Sequence, residues 1–140
     1  EFAVGVFGYN DDVKIAEIGE FQSYKEDFFD YEAKYGTQSL NGIIPAVIGA
    51  DIKERLVEMA KKAFIHLEID GFARIDIFYD GNDVYMNEVN TIPGLETHGT
   101  FSKTWVAAGI SRKEFITQAI EKSITDFNDR KKFVVKIDQI

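Results

Sequence analysis

Four short segments rich in β-forming residues predict two antiparallel hairpins. Residues 2–8 form the first strand, and residues 13–19 form its partner after an Asn-Asp-Asp turn. Residues 72–79 and 84–90 alternate between apolar and polar positions. The run Asp-Gly-Asn-Asp at 80–83 separates them and is a strong turn signal, so these two segments predict a second hairpin.

Helical periodicity follows each hairpin. Asp51 is predicted to cap a helix whose apolar positions recur every three or four residues. These positions are Ile52, Leu56, Met59, Ala60, Ala63, Phe64 and Leu67. Ser111 and Glu114 form a capping box for a second long helix. A short helix is predicted over 101–108, and residues 131–137 are predicted to be a last strand or a tail.

Residues 20–42 follow neither period and carry an aromatic and charged cluster at 28–36. Such stretches in compact domains are functional or disordered, and the aromatic residues argue against disorder. The whole pattern predicts one α+β domain over residues 1–140, with a mostly antiparallel sheet flanked by helices. Because the chain opens inside a strand, we expect a fragment that lacks an N-terminal portion. A processed mature start is the alternative.

Composition narrows the function classes. The chain has 140 residues and a net charge of −8, which argues against nucleic-acid binding because phosphate contacts need an excess of Lys and Arg. No apolar run approaches the ~20 residues of a membrane span, and no signal peptide is visible. The absence of cysteine excludes disulfides and fits a reducing compartment, so we expect a cytoplasmic protein without membrane partners.

The second hairpin carries the candidate chemistry. If its turn is the three-residue loop 81–83, the strands pair Phe78 with Met86, Asp76 with Glu88, and Arg74 with Asn90. Directly opposed residues point to one side of a sheet, so Asp76 and Glu88 become neighbours on one face. A register slip by one residue would separate the two carboxylates onto opposite faces.

Opposed carboxylates repel each other unless a cation lies between them. Arg74 is one candidate cation, and a divalent ion is the other. Carboxylate and amide oxygens are the ligands that magnesium prefers, whereas His66 and His98 are isolated and suit neither zinc nor iron. The alternative is a solvated polar face with apolar residues packing the other side of the sheet.

Three runs of sequence resemble the D-alanine–D-alanine ligase family of ATP-grasp enzymes. They are Gly71-Phe72-Ala73-Arg74-Ile75-Asp76, Asn87-Glu88-Val89-Asn90-Thr91-Ile92-Pro93-Gly94, and the aromatic run 28–35, which resembles the mobile loop of the family. The resemblance spans residues 1–127. It implies a C-terminal ATP-grasp subdomain of a longer enzyme whose N-terminal and central parts are absent from this chain.

The resemblance implies an ATP-dependent ligase that joins two D-amino acids through an acyl phosphate, in D-alanyl-D-alanine formation for peptidoglycan. Asp76, Glu88 and Asn90 would bind two magnesium ions, for which manganese can substitute, with Glu88 bridging them. Arg74 would stabilise negative charge on the acyl phosphate and the tetrahedral intermediate. A structural partnership with Asp76 is the alternative role for Arg74.

The resemblance also assigns nucleotide and substrate contacts. Lys34 would reach the γ-phosphate when its loop closes, and Tyr35 would orient the second substrate. The remaining nucleotide contacts would be Glu1 at the ribose, Phe28, Phe29 and Phe78 around the adenine, and Met86 and Asn87 at its edge. Alternative roles are an exposed loop lysine for Lys34 and core packing for the phenylalanines.

The resemblance places Gly94 at the substrate site, and the sequence departs from the family after this residue. Gly99 stands where the family carries the Ser that holds the carboxylate of the second substrate, so His98 or Thr100 would have to substitute. D-Alanine or a related amino acid is therefore the expected substrate, and a ligase for another carboxylate–amine pair stays open. A non-catalytic nucleotide- or metal-binding module and a plain interaction domain are further alternatives. Expected protein partners are the N-terminal part of the same enzyme and a second copy in a homodimer.

Overall fold

Four strands form one antiparallel sheet in the order β2–β1–β3–β4. The computed structural model describes residues 1–9, 12–21 and 42–132, with side chains described up to residue 130. The strands are β1 Phe2–Tyr9, β2 Asp12–Glu20, β3 Gly71–Tyr79 and β4 Val84–Asn90, and the helices are α1 Ala50–His66, α2 Thr100–Ala107 and α3 Arg112–Lys132. Both predicted hairpins and the α+β class are confirmed. Among the described helices, none combines the length and the apolar composition that crossing a membrane requires.

The helix α1 covers one face of the sheet. Its buried residues Leu56, Ala60 and Phe64 lie four apart and form one helical stripe. They pack on alternate residues of the two central strands, which point to the same side. These strand residues are Phe2, Val4, Val6, Ala73, Ile75 and Ile77.

The helices α2 and α3 cover part of the opposite face with an aromatic cluster. Phe101 is 1% exposed, and its ring centroid lies 5.3 Å from that of Phe115 and 6.2 Å from that of Trp105. Gly5 lets α2 approach β1, since a Cβ there would lie 3.0 Å from Thr104 Oγ1 and 3.1 Å from Trp105 Nε1. The aromatic cluster covers one end of this face, so the other end of β3 and β4 keeps its polar residues.

Several predicted boundaries change. The N-cap of α1 is Gly49 and not Asp51, which lies in the first turn, where its charge still favours the helix dipole. Ser111 does cap α3, because its Oγ accepts the backbone N–H of Glu114 at 3.2 Å. The helix α3 continues to Lys132, so residues 131–132 are helical and the prediction of a strand or tail beginning at 131 is wrong there. Residues 133–137 lie outside the described part.

The second hairpin turns through four residues, not the predicted three. Tyr79 pairs with Val84, and the carboxylate of Asp80 accepts the backbone N–H groups of Asn82 at 2.8 Å and Asp83 at 2.7 Å. These bonds hold Asp80 inside the turn, so it does not pair as a strand residue. A bulge at Asn87 then restores the predicted register beyond it.

Candidate active site

The bulge brings Asp76 opposite Glu88 and Arg74 opposite Asn90, as predicted. We call Asp76, Glu88 and Asn90 the carboxylate platform. The predicted pairing of Phe78 with Met86 is wrong, because Phe78 pairs with Tyr85 on the other side of the bulge. The observed register therefore places Arg74, Asp76, Glu88 and Asn90 next to one another on one face of the hairpin.

Arg74 binds both oxygens of Asp76. Its Nε donates to Oδ1 at 2.8 Å and its Nη2 donates to Oδ2 at 2.7 Å. The same Nη2 lies 3.6 Å from Oε1 of Glu88. The Asp76 side chain is 1% exposed, that of Arg74 is 19% exposed and that of Glu88 is 48% exposed. The platform thus has one buried carboxylate held by the Arg74 fork, and one half-exposed carboxylate that lies near the same guanidinium.

Burial raises the pKa of Asp76 above its ordinary value. The fork from Arg74 acts in the opposite direction, and the nearby carboxylates of Glu1 and Glu88 add to the rise. The net rise means that the loss of hydration on burial outweighs the stabilisation that the guanidinium gives the charged form. A further cation would favour the charged form.

The donor atoms of the platform fit magnesium. They are carboxylate oxygens and one amide oxygen, which are hard ligands. Oδ1 of Asn90 already accepts the backbone N–H of Ile92 at 3.1 Å, and this bond fixes its orientation while a second lone pair stays available. Across residues 1–9, 12–21 and 42–130, no group of three His, Cys, Asp or Glu side chains converges, so waters or phosphate oxygens would have to complete an octahedral shell.

Two of the predicted nucleotide residues meet beside the platform. Nδ2 of Asn87 donates to Oε1 of Glu1 at 2.8 Å. Phe78 is 46% exposed, so it is available for a ligand and the alternative of core packing does not describe it. Met86 was predicted to share the face of Glu88. This prediction is wrong, because Met86 pairs with Ile77, which packs towards α1. The bulge is the reason, because an extra residue reverses the alternation of side chains.

The loop between β4 and α2 holds the predicted substrate residues Gly94, His98 and Gly99, and Thr100 begins α2. The carboxylate of Glu96 folds back over both glycines of this loop: a Cβ at Gly99 would lie 2.7 Å from its Oε1, and one at Gly94 would overlap it as well. Sequence reasoning did not select Glu96, and no sequence signal indicates it, because its position depends on the loop conformation.

Arg112, the first residue of α3, forms hydrogen bonds with this loop. Its Nη1 donates to Oγ1 of Thr97 at 2.8 Å and to the carbonyl oxygen of Leu95 at 3.4 Å. Four other predicted residues, Phe28, Phe29, Lys34 and Tyr35, lie outside the described residues, so their predicted roles stay predictions.

A groove of about 390 Å³ lies away from the platform, between the first hairpin and α3. Both of its lysines have polar partners: Lys122 lies 3.8 Å from Asp12, and Lys14 donates to Gln118 at 3.5 Å. Because its charges balance and no carboxylates oppose each other there, the hairpin platform is the stronger candidate for chemistry.

Known proteins with similar sequences and structures include D-alanine–D-alanine ligases. The family model described as "D-ala D-ala ligase C-terminus" matches residues 1–121. A D-alanine–D-alanine ligase of Flavobacterium johnsoniae is 42% identical over 124 residues, which cover 89% of this chain and 38% of that protein.

Two solved structures have the same fold. The VanG D-Ala:D-Ser ligase of Enterococcus faecalis superposes with a TM-score of 0.73 at 30% identity, over 86% of this chain and 35% of that one. The D-alanine–D-alanine ligase of Bacillus anthracis complexed with ATP has a TM-score of 0.71 at 22% identity, over 92% of this chain and 40% of that one, which shows the fold alone. The chain therefore spans little more than a third of its relatives.

Proposed function

Because the chain belongs to the D-alanine–D-alanine ligase C-terminal family, we propose that it is the C-terminal ATP-grasp subdomain of an ATP- and magnesium-dependent ligase. The complete enzyme joins two D-amino acids through an acyl phosphate and forms D-alanyl-D-alanine for peptidoglycan in the cytoplasm. One observation carries the proposal: a buried and an exposed carboxylate oppose each other next to an amide oxygen and an arginine on one sheet face.

In this proposal, Asp76, Glu88 and Asn90 would hold the magnesium ions, and Glu88 is the most accessible of the three ligands. Bound magnesium neutralises the phosphate oxygens of ATP and of the transferred group. Arg74 lies on the same face, where its guanidinium stabilises negative charge on the acyl phosphate and the tetrahedral intermediate. Manganese supports the same chemistry because it accepts the same oxygen ligands.

Glu1, Asn87 and Phe78 bind the nucleoside of ATP. The hydrogen bond between Glu1 and Asn87 orients the carboxylate that accepts the ribose hydroxyls. Lys34 contacts the γ-phosphate and Tyr35 orients the second substrate; both roles rest on the sequence resemblance, as does adenine packing by Phe28 and Phe29.

The second substrate is D-alanine or a related amino acid. Gly99 has no hydroxyl for its carboxylate, and the carboxylate of Glu96 lies over that glycine, so His98 or Thr100 provides the contact. The same observation favours the second candidate function, a ligase that joins another carboxylate–amine pair. The relative from Enterococcus is named a D-Ala:D-Ser ligase.

The remaining catalytic parts belong to the N-terminal portion of the same enzyme, because the chain spans 38% of its Flavobacterium relative. We therefore expect the 140-residue chain alone to release no phosphate from ATP in the presence of D-alanine. A homodimer is the second expected partnership, and size-exclusion chromatography with light scattering on the complete gene product tests for it.

The experiment uses the complete gene product that carries this chain. Incubated with ATP, magnesium and D-alanine, it releases phosphate and forms the dipeptide, which mass spectrometry detects. Glu88→Gln abolishes both products because it removes the exposed metal ligand. Asp83→Asn removes an equal charge from the tip of the same hairpin and leaves them unchanged.

A panel of amino acids offered as the second substrate separates D-alanine from other acceptors. Phosphate release with another acceptor but not with D-alanine would identify the second candidate function. If no amino acid supports phosphate release, the chain belongs to a non-catalytic module. If Glu88→Gln retains full activity, the platform is only a solvated face.

A further inference from the structure

The fork between Arg74 and Asp76 occupies the buried ligand of the platform. Both carboxylate oxygens accept charge-assisted hydrogen bonds, at 2.8 and 2.7 Å, and the side chain is 1% exposed. Arg74 is 19% exposed, so the guanidinium is the more accessible member of this pair.

Arg74 and a divalent cation compete for Asp76, because a cation on the second lone pair of either oxygen would lie close to the guanidinium. A metal on a carboxylate oxygen lies about 2 Å from it, which would place the ion within a few ångströms of the guanidinium. Two cations at that distance repel each other, and the low exposure of Asp76 weakens screening by water. Glu88, at 48% exposure and with its Oε1 3.6 Å from the same Nη2, is the more accessible of the two carboxylates.

We propose that Arg74 and a divalent cation exchange at Asp76, so that the cation gains this ligand only as the guanidinium releases at least one oxygen. Asp76 then keeps a cationic partner at every stage, which avoids an uncompensated buried charge. The released guanidinium stays on the same sheet face, where it can pair with an anionic group instead. The exchange rests on the proposed function only in requiring a divalent-cation site on the platform.

Substitution of lysine for Arg74 tests the exchange. The Arg74→Lys variant keeps the charge but loses the planar fork, because one ammonium cannot reproduce two parallel N–H···O bonds. The dissociation constant for Mn²⁺, measured by electron paramagnetic resonance on the 140-residue chain, should fall by about tenfold because the metal displaces a weaker contact. Arg55→Lys is the matched control: Arg55 pairs with Asp83 at 3.0 Å at the hairpin tip, and its substitution leaves the constant unchanged.

A second measurement needs no substitution and therefore does not depend on the folding of a variant. The Nε–H signal of Arg74 is followed by ¹H–¹⁵N NMR of the wild-type chain while Mg²⁺ is added. If the exchange occurs, the chemical shift of the Arg74 Nε–H should change with Mg²⁺ concentration in proportion to the fraction of platform sites that hold Mg²⁺. The Nε–H signal of Arg55 should not move.

Each outcome has a defined meaning. Tighter Mn²⁺ binding by Arg74→Lys, or a shifting Arg74 signal, supports the exchange. The exchange is overturned if Arg74→Lys binds Mn²⁺ with equal or weaker affinity and the Arg74 Nε–H signal does not shift when Mg²⁺ is added. This result would leave the proposed metal site intact. If neither wild type nor variant binds Mn²⁺, both the exchange and the metal site of the proposed function are wrong.

Discussion

Replacing Asp76 by asparagine should separate the role of this residue in cation binding from any role in stability. The substitution keeps the shape of the side chain and removes a charge that is buried beside two further carboxylates, Glu1 and Glu88. Asparagine accepts a hydrogen bond on one oxygen only, so one of the two bonds from Arg74 is lost. That loss costs about 1.5–3 kcal/mol for a charge-assisted bond.

Relief of the buried charge offsets this cost. The raised pKa of Asp76 shows that burial and neighbouring carboxylates outweigh the attraction to Arg74. We therefore expect Asp76→Asn to change the free energy of unfolding at pH 7 by no more than about 1 kcal/mol, which corresponds to roughly 4 °C in Tm for a domain of this size. Cation binding should nevertheless weaken by at least about tenfold, because a direct ligand is removed.

The sign of the pH dependence follows from the same shift. A carboxyl whose pKa is raised on folding binds its proton more tightly in the folded chain than in the unfolded chain. Its contribution to the stability of the wild type therefore increases as the pH falls through the raised pKa towards the ordinary value, and Asp76→Asn should lack this component. Urea denaturation of both proteins at several pH values measures it.

Asp83→Asn is the matched control for the Asp76 experiment, because it removes the same charge from an exposed position on the same hairpin. Titration with Mn²⁺ and urea denaturation at pH 7 should give wild-type values for this variant. A loss of more than about 3 kcal/mol in Asp76→Asn would show instead that Asp76 is mainly a structural partner of Arg74. Unchanged Mn²⁺ affinity would refute its assignment as a ligand.

Three further predictions test the fold around the site. Phe101→Ala should cost about 3–5 kcal/mol in urea denaturation because it opens the aromatic cluster, whereas Phe78→Ala, at a position 46% exposed, should cost less than about 1 kcal/mol, and equal costs would contradict this packing. Gly5→Val should lower the free energy of unfolding by at least about 1–3 kcal/mol, because the added side chain pushes α2 from the sheet. A wild-type Tm for this variant would show that α2 packs elsewhere. Backbone N–H groups of the turn lower the pKa of Asp80. The contribution of this carboxylate to hairpin stability is therefore present above the ordinary pKa and is lost as the pH falls through the lowered one. An NMR titration of the Asp80 carboxyl with a midpoint at or above the ordinary value would contradict this prediction.

Most of the architecture was predictable from local signals. Alternating apolar residues, the turn run at 80–83 and the Ser111 cap produced the correct hairpins and helices. The errors occurred at boundaries. Gly49 caps α1 although Asp51 is the better intrinsic cap, and α3 runs on to Lys132. Cap positions depend on how the chain enters the helix, which a single residue type does not specify.

The hairpin shows how far the sequence could predict the candidate site. Pairing of Asp76 with Glu88 was predicted correctly through a wrong three-residue turn, because a four-residue turn and a bulge at Asn87 compensate each other. Only the bulge explains why Met86 leaves the face of Glu88, and no local motif indicates it. The roles of Lys34 and Tyr35 stay predictions, since both lie outside the described residues.

The sequence by itself determined the type of fold and the chemical character of the hairpin, because periodicity and residue type act over a few positions along the chain. Tertiary structure decided the state of each group. Asp76 is buried and paired while Glu88 is exposed, and the Glu96 carboxylate covers two loop glycines. Burial and pairing depend on contacts between distant segments, and these set the electrostatic energy of a charge.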